Sequence, residues 1–280
     1  MLNFFSPFLR RSQRRWLYPV LSVMIALGLT LGTAVRLQAI PLGDLIFQGI
    51  QLIQISNLSD DQEVAIGRQM NDELTRSEFR IFRDPALENY VTQIGQRLAA
   101  RSDRPRIPYT FQIVADRDIN AFATMGGFVY VTTGLMRAAD NEAQLAGVIS
   151  HEIGHIGGRH LVEQLKETAI QRGIATATGL NQSQAVGLGV ELLLNRPNSR
   201  QAEFDADQRG FQTMGRAGYA QSAMIAFLEK LQSSGTPEFL STHPNSANRV
   251  AALRSRLGRS GPKGDGLSGT AYKTKIRSLQ

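Results

Sequence analysis

Three of the four histidines lie within ten residues, 151–160, which read HEIGHIGGRH. The apolar periodicity before this stretch predicts that it lies on a helix. On a helix, His151 and His155 share one face, about 6 Å apart, so both imidazoles can reach one zinc ion. Glu152 is rotated by about 100° from His151 and can address a zinc-bound water without ligating the metal. The spacing predicts a catalytic site with one zinc ion per chain.

The third metal ligand has to be a histidine or a carboxylate, because the chain has no cysteine. His160 lies five residues beyond His155, which is about 140° away from the zinc-facing side if the helix continues. We therefore expect His160 not to bind the metal. A carboxylate from a second helix is the alternative.

Glu203 is the best candidate for that carboxylate, in residues 199–210, SRQAEFDADQRG. Asp207 follows one helical turn later on the same face and could accept the free ring N–H of a ligating histidine. Gly210 would let this helix approach its neighbour closely.

The fourth histidine, His243, precedes Pro244 and a helix that carries Arg249. Three roles remain open for His243: a donor to the transition state, a reversible fourth ligand that blocks water, or a structural histidine. Either His243 or Arg249 could stabilise an oxyanion on the open side of the zinc.

The surrounding pattern predicts a mostly helical α+β fold with a small sheet. Alternating apolar residues predict a strand over 109–113, and the run FVYVT over 128–132, which follows two glycines, is a second strand candidate. Helix starts are predicted from their capping residues at Ser59, Asp84, Asp140 and Ser199. Residues from Gly258 onward are rich in glycine and lysine and predict a flexible tail.

The charges are distributed unevenly along the chain of 280 residues, whose net charge is +7. Residues 1–40 hold five arginines and no acid, and residues 254–280 hold seven lysines or arginines and one acid. The body, 41–253, holds 19 basic and 23 acidic residues, which argues against nucleic-acid binding.

An uncharged, largely apolar run over residues 16–35 follows four arginines. It is long enough to cross a bilayer and would be oriented with its basic side in the cytoplasm. We expect a retained anchor that places the rest of the chain on the extracytoplasmic side of a membrane. The alternative is a cleaved signal segment and an exported soluble protein.

The sequence resembles the membrane-associated zinc metalloproteases related to the CAAX prenyl endopeptidase, the bacterial heat-shock membrane protease and the beta-barrel-assembly-enhancing protease. The resemblance covers about residues 59–256. It rests on residues 120–131, 139–146, 151–160, 199–210 and 242–249.

This resemblance implies a gluzincin-type zincin fold, zinc ligation by His151, His155 and Glu203, and Glu152 as the general base. It also implies that residues 120–131 supply an edge strand along which an extended substrate lies. The candidate residues of that strand are Asn120, Ala121, Phe122, Ala123, Gly126, Gly127 and Phe128. The sequence departs from some branches, which have several membrane spans or a helical-repeat domain, so prenylated substrates and repeat-mediated partners are not carried over from them.

Three segments follow from these observations: a basic stub with an anchor or signal over 1–40, a zinc metallopeptidase domain over 41–256, and a flexible basic tail over 257–280. The expected function is endoproteolysis of unfolded or misassembled extracytoplasmic and membrane proteins. The alternative is a latent, zinc-stabilised chaperone or assembly factor with little proteolysis. The oligomeric state is not predicted.

Overall fold

Helices and short strands make up most of the described part of the chain. A computed structural model describes residues 52–53, 57–173, 180–195, 197–234, 242–244, 246–257 and 264–280. The helices are α1 (Asp60–Glu73), α2 (Pro85–Ala99), α3 (Thr133–Ala138), α4 (Glu142–Gly157), α5 (His160–Gln171), α6 (Gln182–Asn195), α7 (Arg200–Arg216), α8 (Ser222–Ser234), α9 (Ser246–Leu257) and α10 (Gly269–Lys275). The strands are β1 (Leu52–Ile53), β2 (Thr110–Val114), β3 (Ala121–Ala123), β4 (Phe128–Thr132) and β5 (Leu180–Asn181).

The predicted anchor or signal over residues 16–35 lies outside the described residues. Within the described ranges, every helix is too short or too polar to cross a bilayer.

Side-chain caps fix most of the predicted helix starts. Ser59 forms a capping box with Gln62 at the start of α1, Asp84 accepts from two amides of α2, and Ser199 caps α7. The prediction for Asp140 is wrong by one residue, because Asn141 caps α4 and accepts from the Gln144 amide. The Asp140 carboxylate instead pairs with Lys230.

β4 lies at the centre of a three-stranded sheet, parallel to β2 and antiparallel to β3. All five residues of β4 are buried, as expected for a central strand. The predicted edge strand is therefore right for β3 but wrong for Phe128, which begins the central strand. Gly126 and Gly127 form the turn between the two strands with positive φ angles of 74° and 100°, which glycine adopts readily.

α4 is the central helix, and every residue from Ala143 to Ile156 is buried. It packs against the sheet, against α2 and α8, and most extensively against α7. A helix that is buried on all sides places its polar residues in the interior, where they need partners. His151, Glu152 and His155 are in this position.

The prediction of a flexible tail is wrong for residues 264–280, which belong to the same compact unit as the rest of the described fold. Tyr272, Ile276 and Leu279 are at most 3% exposed, and the Tyr272 hydroxyl donates to the Met136 carbonyl. These three apolar residues are four and three positions apart, which is the spacing of one helical face. The glycine- and lysine-rich composition of the segment obscures this pattern. The core of the domain therefore extends beyond residue 256.

Candidate metal centre

Two helices bring the predicted metal ligands together at an unusually close crossing. At Gly154 of α4, an added Cβ would lie 2.4 Å from the Ala206 carbonyl oxygen of α7. At Gly210 of α7, an added Cβ would lie 2.7 Å from the Ser150 carbonyl oxygen of α4. The two glycines thus let the helix with His151 and His155 lie directly against the helix that carries Glu203.

The nitrogen and oxygen donors of four buried residues converge at this crossing. His155 Nε2 lies 3.0 Å from His151 Nε2 and 3.2 Å from Glu203 Oε1. His243 Nδ1 lies 3.2 Å from Glu203 Oε1 and 3.3 Å from His151 Nε2. One ligand atom from each of His151, His155, Glu203 and His243 lies within 4.8 Å of the others.

This donor set fits zinc. Imidazole nitrogens and a carboxylate oxygen are ligands that zinc accepts at tetrahedral sites. The Nδ1 atoms of both helix α4 histidines are turned to other protein groups, which leaves both Nε2 atoms facing the centre. Burial lowers the pKa of His155 to about 3, so this ring is neutral and offers a lone pair.

Glu152 lies beside the converging donors, and its side chain is buried. Among the described residues, Glu152 Oε1 has no hydrogen-bond partner, and His243 Nε2 lies 3.7 Å from it. Burial raises the pKa of the Glu152 carboxyl, although His243 and His151 oppose this. A carboxylate with an unpaired buried oxygen and a raised pKa is suited to accept a proton.

Asp207 and Arg249 lie behind the ligands. Asp207 Oδ1 is 2.9 Å from His151 Nδ1, the contact expected of a carboxylate that orients a ligating imidazole. Arg249 holds Asp207 with two hydrogen bonds of 2.6 and 2.7 Å and pairs with Glu203 Oε2 at 2.6 Å. These contacts keep the pKa of the Asp207 carboxyl low despite its burial.

The predicted oxyanion role of Arg249 is not supported by this position. Arg249 is 1% exposed, and its remaining contacts run to the His243 carbonyl and to His151 Nδ1. Its guanidinium therefore acts on the ligands from behind. The sequence missed this because the distance from Arg249 to Asp207 is set by how α9 packs on α7.

His243 lies between the ligands and the sheet edge. Its Nδ1 is among the converging donors, and its Nε2 is 3.4 Å from the Ala121 carbonyl oxygen of β3. The position is compatible with a fourth ligand.

A cavity of about 150 Å³ opens beside Glu152, His155 and His243. The rest of its lining comes from β3 and the residue before it, from helices α5 and α6, and from three residues outside these elements. These lining residues are Phe79, Asn120, Phe122, Ala123, His160, Leu161, Gln164, Leu192, Leu193, Leu194, Asn198 and Thr242. Sequence reasoning missed Phe79 and the three leucines of α6, because nothing in their local pattern distinguishes them from core residues.

His160 is outside the converging group, as predicted, but for a different reason. The helix does not continue: α4 ends at Gly157, and α5 begins at His160. The break turns His160 back toward His155, and their Nδ1 atoms lie 2.9 Å apart.

Comparison with known proteins agrees with this geometry. Residues 85–257 match Peptidase family M48. The chain belongs to this family. The resemblance inferred from the motifs is confirmed, and the M48 match includes all four converging residues.

Three relatives of this M48 chain illustrate the range of lengths in which the domain occurs. It is 32% identical over 249 residues to the beta-barrel assembly-enhancing protease of Escherichia coli, which covers 80% of the chain and 50% of that protein. It is 28% identical over 234 residues to metalloprotease LoiP of Escherichia coli, covering 78% and 90%. It is 30% identical over 191 residues to the mitochondrial metalloendopeptidase OMA1 of Danio rerio, covering 61% and 40%. The chain thus spans about half the length of the assembly-enhancing protease.

Proposed function

We propose that the chain is a zinc-dependent endopeptidase that hydrolyses peptide bonds of extended, unfolded polypeptides. The observation that carries the proposal is the buried Glu152 oxygen, which has no hydrogen-bond partner among the described residues and lies next to the converging donors of His151, His155 and Glu203. Glu152 and His155 line a cavity of about 150 Å³ that opens beside these donors.

His151, His155 and Glu203 would hold the zinc ion. When bound, zinc polarises a carbonyl oxygen and lowers the pKa of water to about 7. Asp207 fixes the ring of His151, and Arg249 holds both Asp207 and Glu203 in place.

Glu152 serves as the general base. Its unpaired oxygen takes a proton from the attacking water, and the carboxyl then gives the proton to the leaving amine. Burial raises the pKa of the Glu152 carboxyl above its ordinary value, which makes it a better proton acceptor.

β3 supports the choice of an extended substrate. The Asn120 carbonyl accepts from the Thr132 amide, and the Thr124 amide donates to the Phe128 carbonyl. In an antiparallel pair the hydrogen-bonded residues alternate, so the carbonyls of Ala121 and Ala123 turn away from β4 toward the cleft. A substrate strand can pair there, which requires a chain that is not folded.

The cellular setting is part of the proposal. The basic stub and the apolar run over 16–35 support an anchored domain on the extracytoplasmic side of a membrane, with export after signal cleavage as the alternative. The name of the assembly-enhancing relative supports unfolded or misassembled extracytoplasmic and membrane proteins as substrates.

The test uses the full-length chain in detergent. We expect one zinc ion per chain by elemental analysis and cleavage of a reduced, unfolded protein at internal bonds. A chelator should abolish cleavage, and added zinc should restore it. Cleavage that persists after the metal is removed would contradict the proposal.

A second candidate function is a latent, zinc-stabilised chaperone or assembly factor, and the position of His243 favours it. A fourth protein ligand closes the position that a catalytic zinc site keeps open. If His243 closes the metal site in this way, His243→Ala should raise peptidase activity, measured against the wild type with the same unfolded substrate. A loss of activity would instead identify His243 as a transition-state donor.

A further inference from the structure

We propose that His160 is a positioning residue for the metal: it accepts the ring N–H of His155 and is itself held by Asp205. This inference rests on the proposed metal site but not on peptide hydrolysis. It assigns a role to the one histidine of the 151–160 stretch that neither ligates nor transfers a proton.

A continuous series of hydrogen bonds runs from His155 through His160 to Asp205. His155 turns Nε2 to the centre, so its Nδ1 carries the hydrogen and donates to His160 Nδ1 at 2.9 Å. The His160 Nε2 then carries the hydrogen and donates to Asp205 Oδ2 at 3.1 Å. Asp205 Oδ2 also accepts from Arg209 Nε at 2.6 Å, which fixes the carboxylate.

The two histidine ligands are thus oriented in different ways. His151 contacts the carboxylate of Asp207 directly, whereas a neutral imidazole lies between His155 and Asp205. Groups that hold the second nitrogen of a ligating histidine fix both its tautomer and its ring orientation.

The turn between the end of α4 and the start of α5 makes this contact possible. Arg159 adopts a left-handed conformation with φ of 56°, the only non-glycine residue in the described ranges to do so. Its guanidinium pairs with the buried Glu63 carboxylate and donates to the Leu58 carbonyl, which hold the residue in place. Without this break, His160 would point away from the metal face.

The absence of a side chain at Gly158 leaves space for the hydrogen bond between His160 and Asp205. A Cβ at this position would lie 2.4 Å from His160 Nε2 and 2.7 Å from Asp205 Oδ2. Even a methyl group there would displace the hydrogen bond between the two side chains.

The test measures zinc affinity of the full-length chain by competition with a chromophoric chelator. We expect His160→Leu to raise the zinc dissociation constant about 10- to 100-fold, the usual cost of removing such a partner. His160→Asn should recover most of this loss, because its amide oxygen can take the place of Nδ1 as acceptor. Glu167→Leu, an exposed change on the same helix, should leave zinc affinity unchanged.

The melting temperatures of the metal-free variants distinguish a loss of metal positioning from a loss of folding stability. We expect His160→Leu and His160→Asn to melt at similar temperatures while differing in zinc affinity. Wild-type affinity in His160→Leu, or an equal loss in both variants, would overturn the proposal. If His160→Leu does not fold, Asp205→Asn provides the test, with weaker zinc binding expected and wild-type binding overturning it. None of these readouts depends on proteolysis, so the proposed function can fail while this inference holds.

Discussion

At the residue scale, the centre depends on the buried guanidinium of Arg249. Arg249 faces the carboxylates of Glu203 and Asp207, and all three side chains are at most 3% exposed. Removing the partner of a buried charge lowers the stability of the fold far more than removing that of an exposed charge, because water cannot replace the lost contact. The arrangement therefore makes metal-site geometry and stability depend on the same contacts.

Arg249→Gln should lower the free energy of unfolding of the metal-free protein by about 3–5 kcal/mol, since it leaves buried carboxylates without their partner. Arg254→Gln is the matched control on the same helix. Arg254 and Glu229 form an exposed ion pair, so a change of at most about 1 kcal/mol in the free energy of unfolding is expected. Urea unfolding measures both, and equal effects would show that Arg249 does not hold the ligands.

At the element scale, the crossing of α4 and α7 positions the ligands. Gly154→Ala places a methyl group against the Ala206 backbone, so the helices must separate. We expect a loss of about 1–3 kcal/mol in the free energy of unfolding, as for overpacking, together with weaker zinc binding.

Gly187→Ala provides the control for this change. Gly187 lies on the exposed side of α6, where an added Cβ meets nothing within 4 Å. Alanine there should stabilise the protein by about 0.5–1 kcal/mol. If Gly154→Ala were equally stabilising in the urea titration, the close crossing would not be needed.

The elements also show what the sequence can predict. Helical periodicity alone places His151 beside His155 and Asp207 one turn after Glu203, because these relations are local. The run FVYVT after Gly126 and Gly127 likewise predicts β4. The sequence does not predict the break before His160, since the left-handed Arg159 is held by Glu63 from a distant helix. The role of Arg249 cannot be predicted either, because its partners Asp207 and Glu203 are far from it in the sequence.

At the scale of the whole molecule, the segment from Gly264 to Gln280 completes the core. Its basic composition concealed an apolar stripe that packs beneath α3, where Arg137 Nε donates to the Leu279 carbonyl. The basic side chains of Lys273, Lys275 and Arg277 are therefore carried on a folded surface. The metal-site domain and the terminal helix should unfold together.

Ile276→Ala should lower the free energy of unfolding by about 2–5 kcal/mol, because it empties a buried site. Lys273→Ala, an exposed change on α10, which ends just before Ile276, should alter it by less than about 0.5 kcal/mol. Thermal or urea unfolding distinguishes the two. Indistinguishable curves would mean that the segment is not packed on the core.

The most direct test of the whole account is Glu152→Gln in the full-length chain. The variant keeps the size of the side chain but cannot accept a proton from water. We expect one bound zinc ion, as in the wild type, and a loss of about 10²- to 10⁴-fold in the rate of cleavage of an unfolded protein. Glu167→Gln, exposed on α5, should cleave at the wild-type rate. Full activity in Glu152→Gln with zinc bound would contradict the mechanism.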